Sequence, residues 1–109
     1  MSKQISVKAL KVSGGSIKQL YEEAQKYLLN IGFAKEPMFS VTESTRVTRI
    51  SYYSQGNEKV VMEYHQDLVE ESLKLTFAPM DIKFVYDILL MRFNQVAREK
   101  QGSIVIYNK

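Results

Sequence analysis

Between Met80 and Lys100 the sequence carries a helical pattern with two apolar faces, where a surface helix of a small domain needs only one. At about 100° per residue, Ile82, Val85, Leu89, Phe93 and Val96 form one stripe, and Phe84, Ile88 and Met91 line the opposite side. One stripe must meet the body of the domain, so the other needs a second cover. Burying Phe84, Ile88 and Met91 would contribute roughly 1.5 to 3 kcal/mol each, about 5 to 9 kcal/mol together, which is comparable with the ~5 to 15 kcal/mol total stability of a domain. Three covers are open to it: other parts of the same chain, a second copy in a self-complementary interface, or a lipid or small ligand in a cavity.

A chain of 109 residues fits one domain, residues 1–109, with a core sufficient to fold without metal or disulfide. The sequence has no cysteine, which removes thiolate catalysis, zinc-thiolate sites and disulfides. No run reaches the ~18 apolar residues of a membrane span, and Met1–Ser6 lacks the apolar stretch of a secretory signal. The expectation is a cytoplasmic, soluble domain with no membrane partner, no cofactor and no identified small-molecule substrate.

The remaining elements read in order. Residues Ile5 to Val12 alternate as a strand, with Ile5, Val7 and Ala9 on one side. Ser13-Gly14-Gly15 breaks it, and Ser16 with Gln19 matches the capping box that opens a helix. Ile17, Leu20, Tyr21, Ala24, Tyr27, Leu28 and Ile31 share one helical face, Lys18, Glu22 and Lys26 the other, and Leu29 is out of place. Gly32 suits the left-handed position past the helix end, with Phe33 folding back on the last turn.

After Pro37, Met38 to Val41 reads as a short extended piece and Thr45 to Tyr53 as a strand. Gly56-Asn57 is a two-residue hairpin turn, and Lys59 to His65 and Ser72 to Phe77 complete a half-buried meander. Pro79 and Asp81 fit the start of the second helix, Arg98 and Lys100 its negative end, and Gly102 its stop. Ser103 to Tyr107 closes as a short strand. The expected fold class is α+β: an antiparallel sheet in β-α-β-β-β-α-β order with two helices packed on one face. Ferredoxin-like folds with an added strand, small helix-grip cups and TATA-binding-protein-like half repeats share this order, and no motif here belongs to any of them.

The formal charge of +3 gives weak attraction to polyanions. It is unevenly spread: Lys3, Lys8 and Lys11 are the only charges before the first helix, while Glu58, Glu63, Asp67, Glu70 and Glu71 stand against Lys59. Arg49, Ser51 and Tyr53 alternate on one strand and Lys74 and Thr76 on another, a combination with which a sheet face can stack bases and hold phosphates. Lys8, Arg46, Arg49, Tyr53 and Lys74 are the residues of that nucleic-acid reading.

Catalytic patterns are thin. His65, the single histidine, has Asp67 two residues on, but a change of chain direction at Asp67 separates them, and a solvated surface histidine is the simpler account. Glu63 and Glu43 are acids in or beside strands, and alternation puts Glu63 on the exposed face. Ser13-Gly14-Gly15-Ser16 could hold a phosphate at a helix N-terminus, yet it lacks the P-loop's lysine-hydroxyl end and the dinucleotide fingerprint's third glycine, and a turn and cap account for it. The sequence is therefore read as a non-enzymatic association module, homodimeric through Phe84, Ile88 and Met91. The alternatives are a nucleic-acid-binding module, and a small-ligand carrier with a pocket between sheet and helices.

Overall fold

The computed structural model describes residues 3–10, 16–36, 39–42, 45–78, 83–99 and 104–108. Their order is β1 (Lys3–Leu10), α1 (Ser16–Asn30), β2 (Ala34–Lys35), β3 (Phe39–Thr42), β4 (Val47–Gln55), β5 (Glu58–Gln66), β6 (Glu70–Ala78), α2 (Lys83–Glu99) and β7 (Ile104–Asn108). The class is α+β, in the expected order, with β2 and β3 as short additions before the meander. The Ser13–Gly15 break with the Ser16 side chain, and the expected roles of Pro37, Glu43, Pro79, Asp81, Ile82, Lys100 and Gly102, lie outside the described residues.

The strands form one sheet in the order β2-β4-β5-β6-β1-β7, with β3 also on the outer edge of β4. Every pairing is antiparallel. The β4–β5 hairpin turns at Gly56-Asn57, where Gly56 takes the left-handed φ of 60° that such a turn asks of a glycine. On the edge, Ala34 and Lys35 pair with Ser54 and Tyr53, and Phe39 to Thr42 pair with Ile50 to Val47. The two segments are therefore out of step by one residue.

Alternation divides the sheet into two faces. Ile5, Val7, Val60, Met62, Leu73, Leu75 and Phe77 are fully buried on one of them, against Ile17, Leu20, Ala24 and Leu28 of α1 and Phe93 of α2. These side chains fill the space between sheet and helices. Both helices thus cover the same face, as one-sided burial of an antiparallel sheet requires.

The C-terminus of α1 is a Schellman motif. The Phe33 amide donates to the Leu28 carbonyl at 3.0 Å and the Gly32 amide to the Leu29 carbonyl at 3.2 Å. Gly32 has φ of 102°, and Phe33 and Leu28 are both buried in the core. Ile31, expected on the buried face, is exposed instead because the helix ends at Asn30 and the chain turns away there.

Candidate association surface

On α2, Val85, Leu89, Phe93 and Val96 are buried, joined by Tyr86, whose ring meets Phe77 edge-on with centroids 5.5 Å apart. The second stripe has the opposite fate. Phe84 is 75% exposed and Met91 57%, while Ile88 is half-buried. Among the described residues, the sheet and the last strand leave Phe84 and Met91 largely uncovered.

The structure adds what the stripe borders. Ile88 and Met91 form one wall of an apolar groove of about 320 Å³, and Ala24 and Tyr27 of α1 line the other. Near them, Arg92 grips Glu23 with two hydrogen bonds, Nη2 to Oε1 at 2.9 Å and Nε to Oε2 at 3.2 Å. This fork-to-carboxylate geometry ties the helices together, and Glu23 pushes the Arg92 guanidinium above its ordinary pKa. β1 and β6 run antiparallel and each is followed by a helix packed on the same face, so the two helices run antiparallel. Burial raises the pKa of the Tyr27 phenol. Leu29, Ile31 and Phe84 are further exposed apolar side chains of the helical layer and its α1 end.

The residues of the nucleic-acid reading are divided between the two faces of the sheet. Sequence alternation groups Arg49, Ser51 and Tyr53 with Lys74 on an exposed sheet face, and the structure corrects this. Ser51 is fully buried, Tyr53 is 1% exposed, and Arg49 is in register with buried Tyr64, so all three belong to the helix-covered side. Lys8 and Lys74 lie on the outer face, where Lys74 pairs with Glu63 at 3.7 Å, and Arg46 precedes β4 at the sheet end. Glu63 is thus partnered with a lysine, and Glu43 lies outside the described residues.

Burial of these β4 residues works because their polar atoms find partners under α1. Tyr21 Oη and Ser51 Oγ are 3.3 Å apart, and the Tyr53 hydroxyl donates to Gln25 Oε1 at 2.9 Å, an oxygen that also accepts from Lys35 Nζ at 2.8 Å. Burial pushes the Tyr53 phenol up to about 12. Next to them, the Tyr64 ring packs on Tyr21 with centroids 5.6 Å apart, and its hydroxyl donates to Glu71 Oε2 at 2.7 Å. Burial, then the hydrogen bond and charge of Glu71, raise the Tyr64 pKa well above its ordinary value. Glu71 is 5% exposed, a carboxylate the sequence reading counted only as part of an acidic run.

His65 is exposed on the outer face, its Nδ1 3.4 Å from Thr48 Oγ1. Asp67 sits in the following turn, where Oδ1 accepts the Val69 and Glu70 amides, each at 2.8 Å. That turn exposes Leu68 and Val69. Among the described residues no group of three or more histidines and acids is placed to hold a metal ion, and no helix is long and apolar enough to cross a membrane.

The fold and surface define an antiparallel α+β domain whose helical layer carries an open apolar groove. No protein-family model matches the chain, and no curated protein matches it.

Proposed function

We propose that this protein is a non-enzymatic association module that forms a homodimer through its helical layer, with α2 at the centre of the contact. The observation that carries the reading is the pairing of two exposed side chains, Phe84 and Met91, with an adjoining apolar groove on the same molecule. In a two-fold arrangement each copy offers both features, so the ridge of one copy can enter the groove of the other and the contact is made twice. Scaling full burial of a Phe side chain by the exposure of Phe84 gives about 1 to 2 kcal/mol per copy. The Arg92–Glu23 bridge is in keeping with the same reading, because it joins the two helices beside the groove.

The test is the solution mass, by light scattering and sedimentation at micromolar concentration. The wild-type chain is expected to be a dimer that persists at high salt, since the contact is apolar. Ile88→Asp should yield a folded monomer. Because Ile88 is half-buried, Phe84→Ser provides a second variant with little cost to the fold, for a side chain three-quarters exposed in the isolated chain. Counting Phe84 in both copies, its loss should weaken the dimer by about 2 to 4 kcal/mol, roughly 30- to 1,000-fold. A wild-type monomer at tens of micromolar, or a Phe84→Ser chain that dimerises as tightly as wild type, would overturn the proposal.

A further inference from the structure

The sequence has five methionines and no cysteine, so the sulfur chemistry open to the chain is that of the thioether alone. The fold treats Met62 and Met91 oppositely. Met62 is 0% exposed on the inner face of β5, within the core between sheet and helices, whereas Met91 is 57% exposed on α2. An oxidant in water can therefore reach the Met91 side chain and is shut out from Met62. Met91 also has two parts in the association surface: it belongs to the exposed ridge, and it lines the groove with Ile88, Leu89 and Phe93. In a two-fold contact each copy brings its own Met91, so a change at this position is felt twice. The guanidinium beside it is already engaged, with Arg92 Nε and Nη2 donating to Glu23 and Nη1 to Gln95 Oε1 at 3.4 Å.

We infer that Met91 is a site of reversible oxidation that controls pairing, an inference that rests on the homodimer reading above. The co-reactant is a hydroperoxide. One of its oxygens passes to the thioether: the O–O bond breaks, an S–O bond forms, and the sulfur is oxidised by two electrons. The rest of the peroxide takes up the proton of the transferred oxygen and leaves as an alcohol, or as water when the oxidant is hydrogen peroxide. A flexible apolar side chain becomes a polar, chiral sulfoxide. On the free chain the new oxygen is hydrated, so the fold is undisturbed. Pairing would strip that water and set the oxygen among apolar side chains, which is costly for a polar group left without a hydrogen bond. Because the dimer itself covers Met91, the oxidant acts on the free chain, and what oxidation blocks is assembly. Methionine sulfoxide reductases, drawing on a thiol reductant, return the thioether.

The experiment uses the full chain. It is diluted until monomeric, treated with hydrogen peroxide, freed of oxidant and reconcentrated to tens of micromolar; peptide mass spectrometry then locates the added oxygen and sedimentation reads the mass. Oxygen is expected on Met91 and not on Met62, with the dimer dissociation constant raised at least about tenfold and restored by methionine sulfoxide reductases with dithiothreitol. Met91→Leu, close in volume to the native residue, should pair as wild type does and keep pairing after the same treatment, which separates Met91 from Met1, Met38 and Met80. Met91→Gln, polar at a similar length, should weaken pairing without any oxidant. An untreated chain that is monomeric at tens of micromolar overturns the homodimer reading and this inference with it. An untreated dimer that pairs as tightly once Met91 is oxidised, a Met91→Leu dimer that is lost on treatment, or Met62 oxidised as fast as Met91 overturns the inference alone.

Discussion

Replacing Tyr64 with Phe removes one oxygen and leaves the Glu71 carboxylate, 5% exposed, without the hydroxyl that donates to it at 2.7 Å. Hydrogen bonds to charged groups contribute about 1.5 to 3 kcal/mol, and a buried acceptor left unpaired incurs its desolvation cost. The expected loss is therefore about 2 to 3 kcal/mol, or roughly 10 °C in Tm for a domain of this size. Packing is nearly unchanged, because the ring that stacks on Tyr21 is retained. The companion change, Glu71→Met in the Tyr64→Phe background, takes away the carboxylate as well. Two apolar partners of similar shape replace the polar pair, and most of the stability should return. Urea denaturation of wild type, Tyr64→Phe, Glu71→Met and the double variant at one fixed concentration completes the cycle, the concentration being held because any dimer adds stability by mass action. A coupling near zero, or a Tyr64→Phe chain within ~0.5 kcal/mol of wild type, would refute the view that this hydrogen bond is what makes Glu71 tolerable in the core.

The same phenols give the protein an alkaline limit. Burial raises the Tyr53 pKa from 10.0 to about 12 and that of Tyr64 in the same direction. A folded-state pKa above the unfolded one means the stabilisation is complete below pH 10 and is lost as pH rises toward 12, at about 1.4 kcal/mol per pH unit for each phenol. Denaturation midpoints measured from pH 8 to 11.5 should be flat below about 10 and fall above it, with Tyr53→Phe reducing the slope. Gly32→Ala should cost about 1 to 2 kcal/mol, since φ of 102° is strained for any side chain and the new Cβ would approach Gln55 Nε2 to 2.6 Å. Thermal unfolding of that variant checks it, and a Tm equal to wild type would remove the argument for the Schellman cap.

Much of the fold is legible because period-2 and period-3.6 patterns are nearly clean. Leu73, Leu75 and Phe77 alternate with Ser72, Lys74 and Thr76, and the structure buries the first set. The same phase reaches back to Glu71, so its burial was readable in position while its charge argued against it. The Tyr64 hydroxyl, from a neighbouring strand, resolves the conflict. In β4 the pattern is ambiguous, since Arg49, Ser51 and Tyr53 face Ile50 and Tyr52 with similar polarity. Partners on α1, Tyr21 and Gln25, decide the face, and those are long-range contacts that periodicity does not encode. The second stripe of α2 is readable as apolar, whereas the groove beside it depends on how closely α1 approaches α2, a tertiary distance that the periodicity of neither helix encodes.

The offset between β2 and β3 bears on how the molecule can join others. Along β4 the outer edge is occupied by two short segments that are out of step by one residue. An incoming strand would find no continuous ladder there, only stretches of two and four residues in different register. Open-ended growth of the sheet on that side is blocked by a device that costs little burial. A two-fold contact through the helical layer, of the kind proposed above, would by contrast close at two copies.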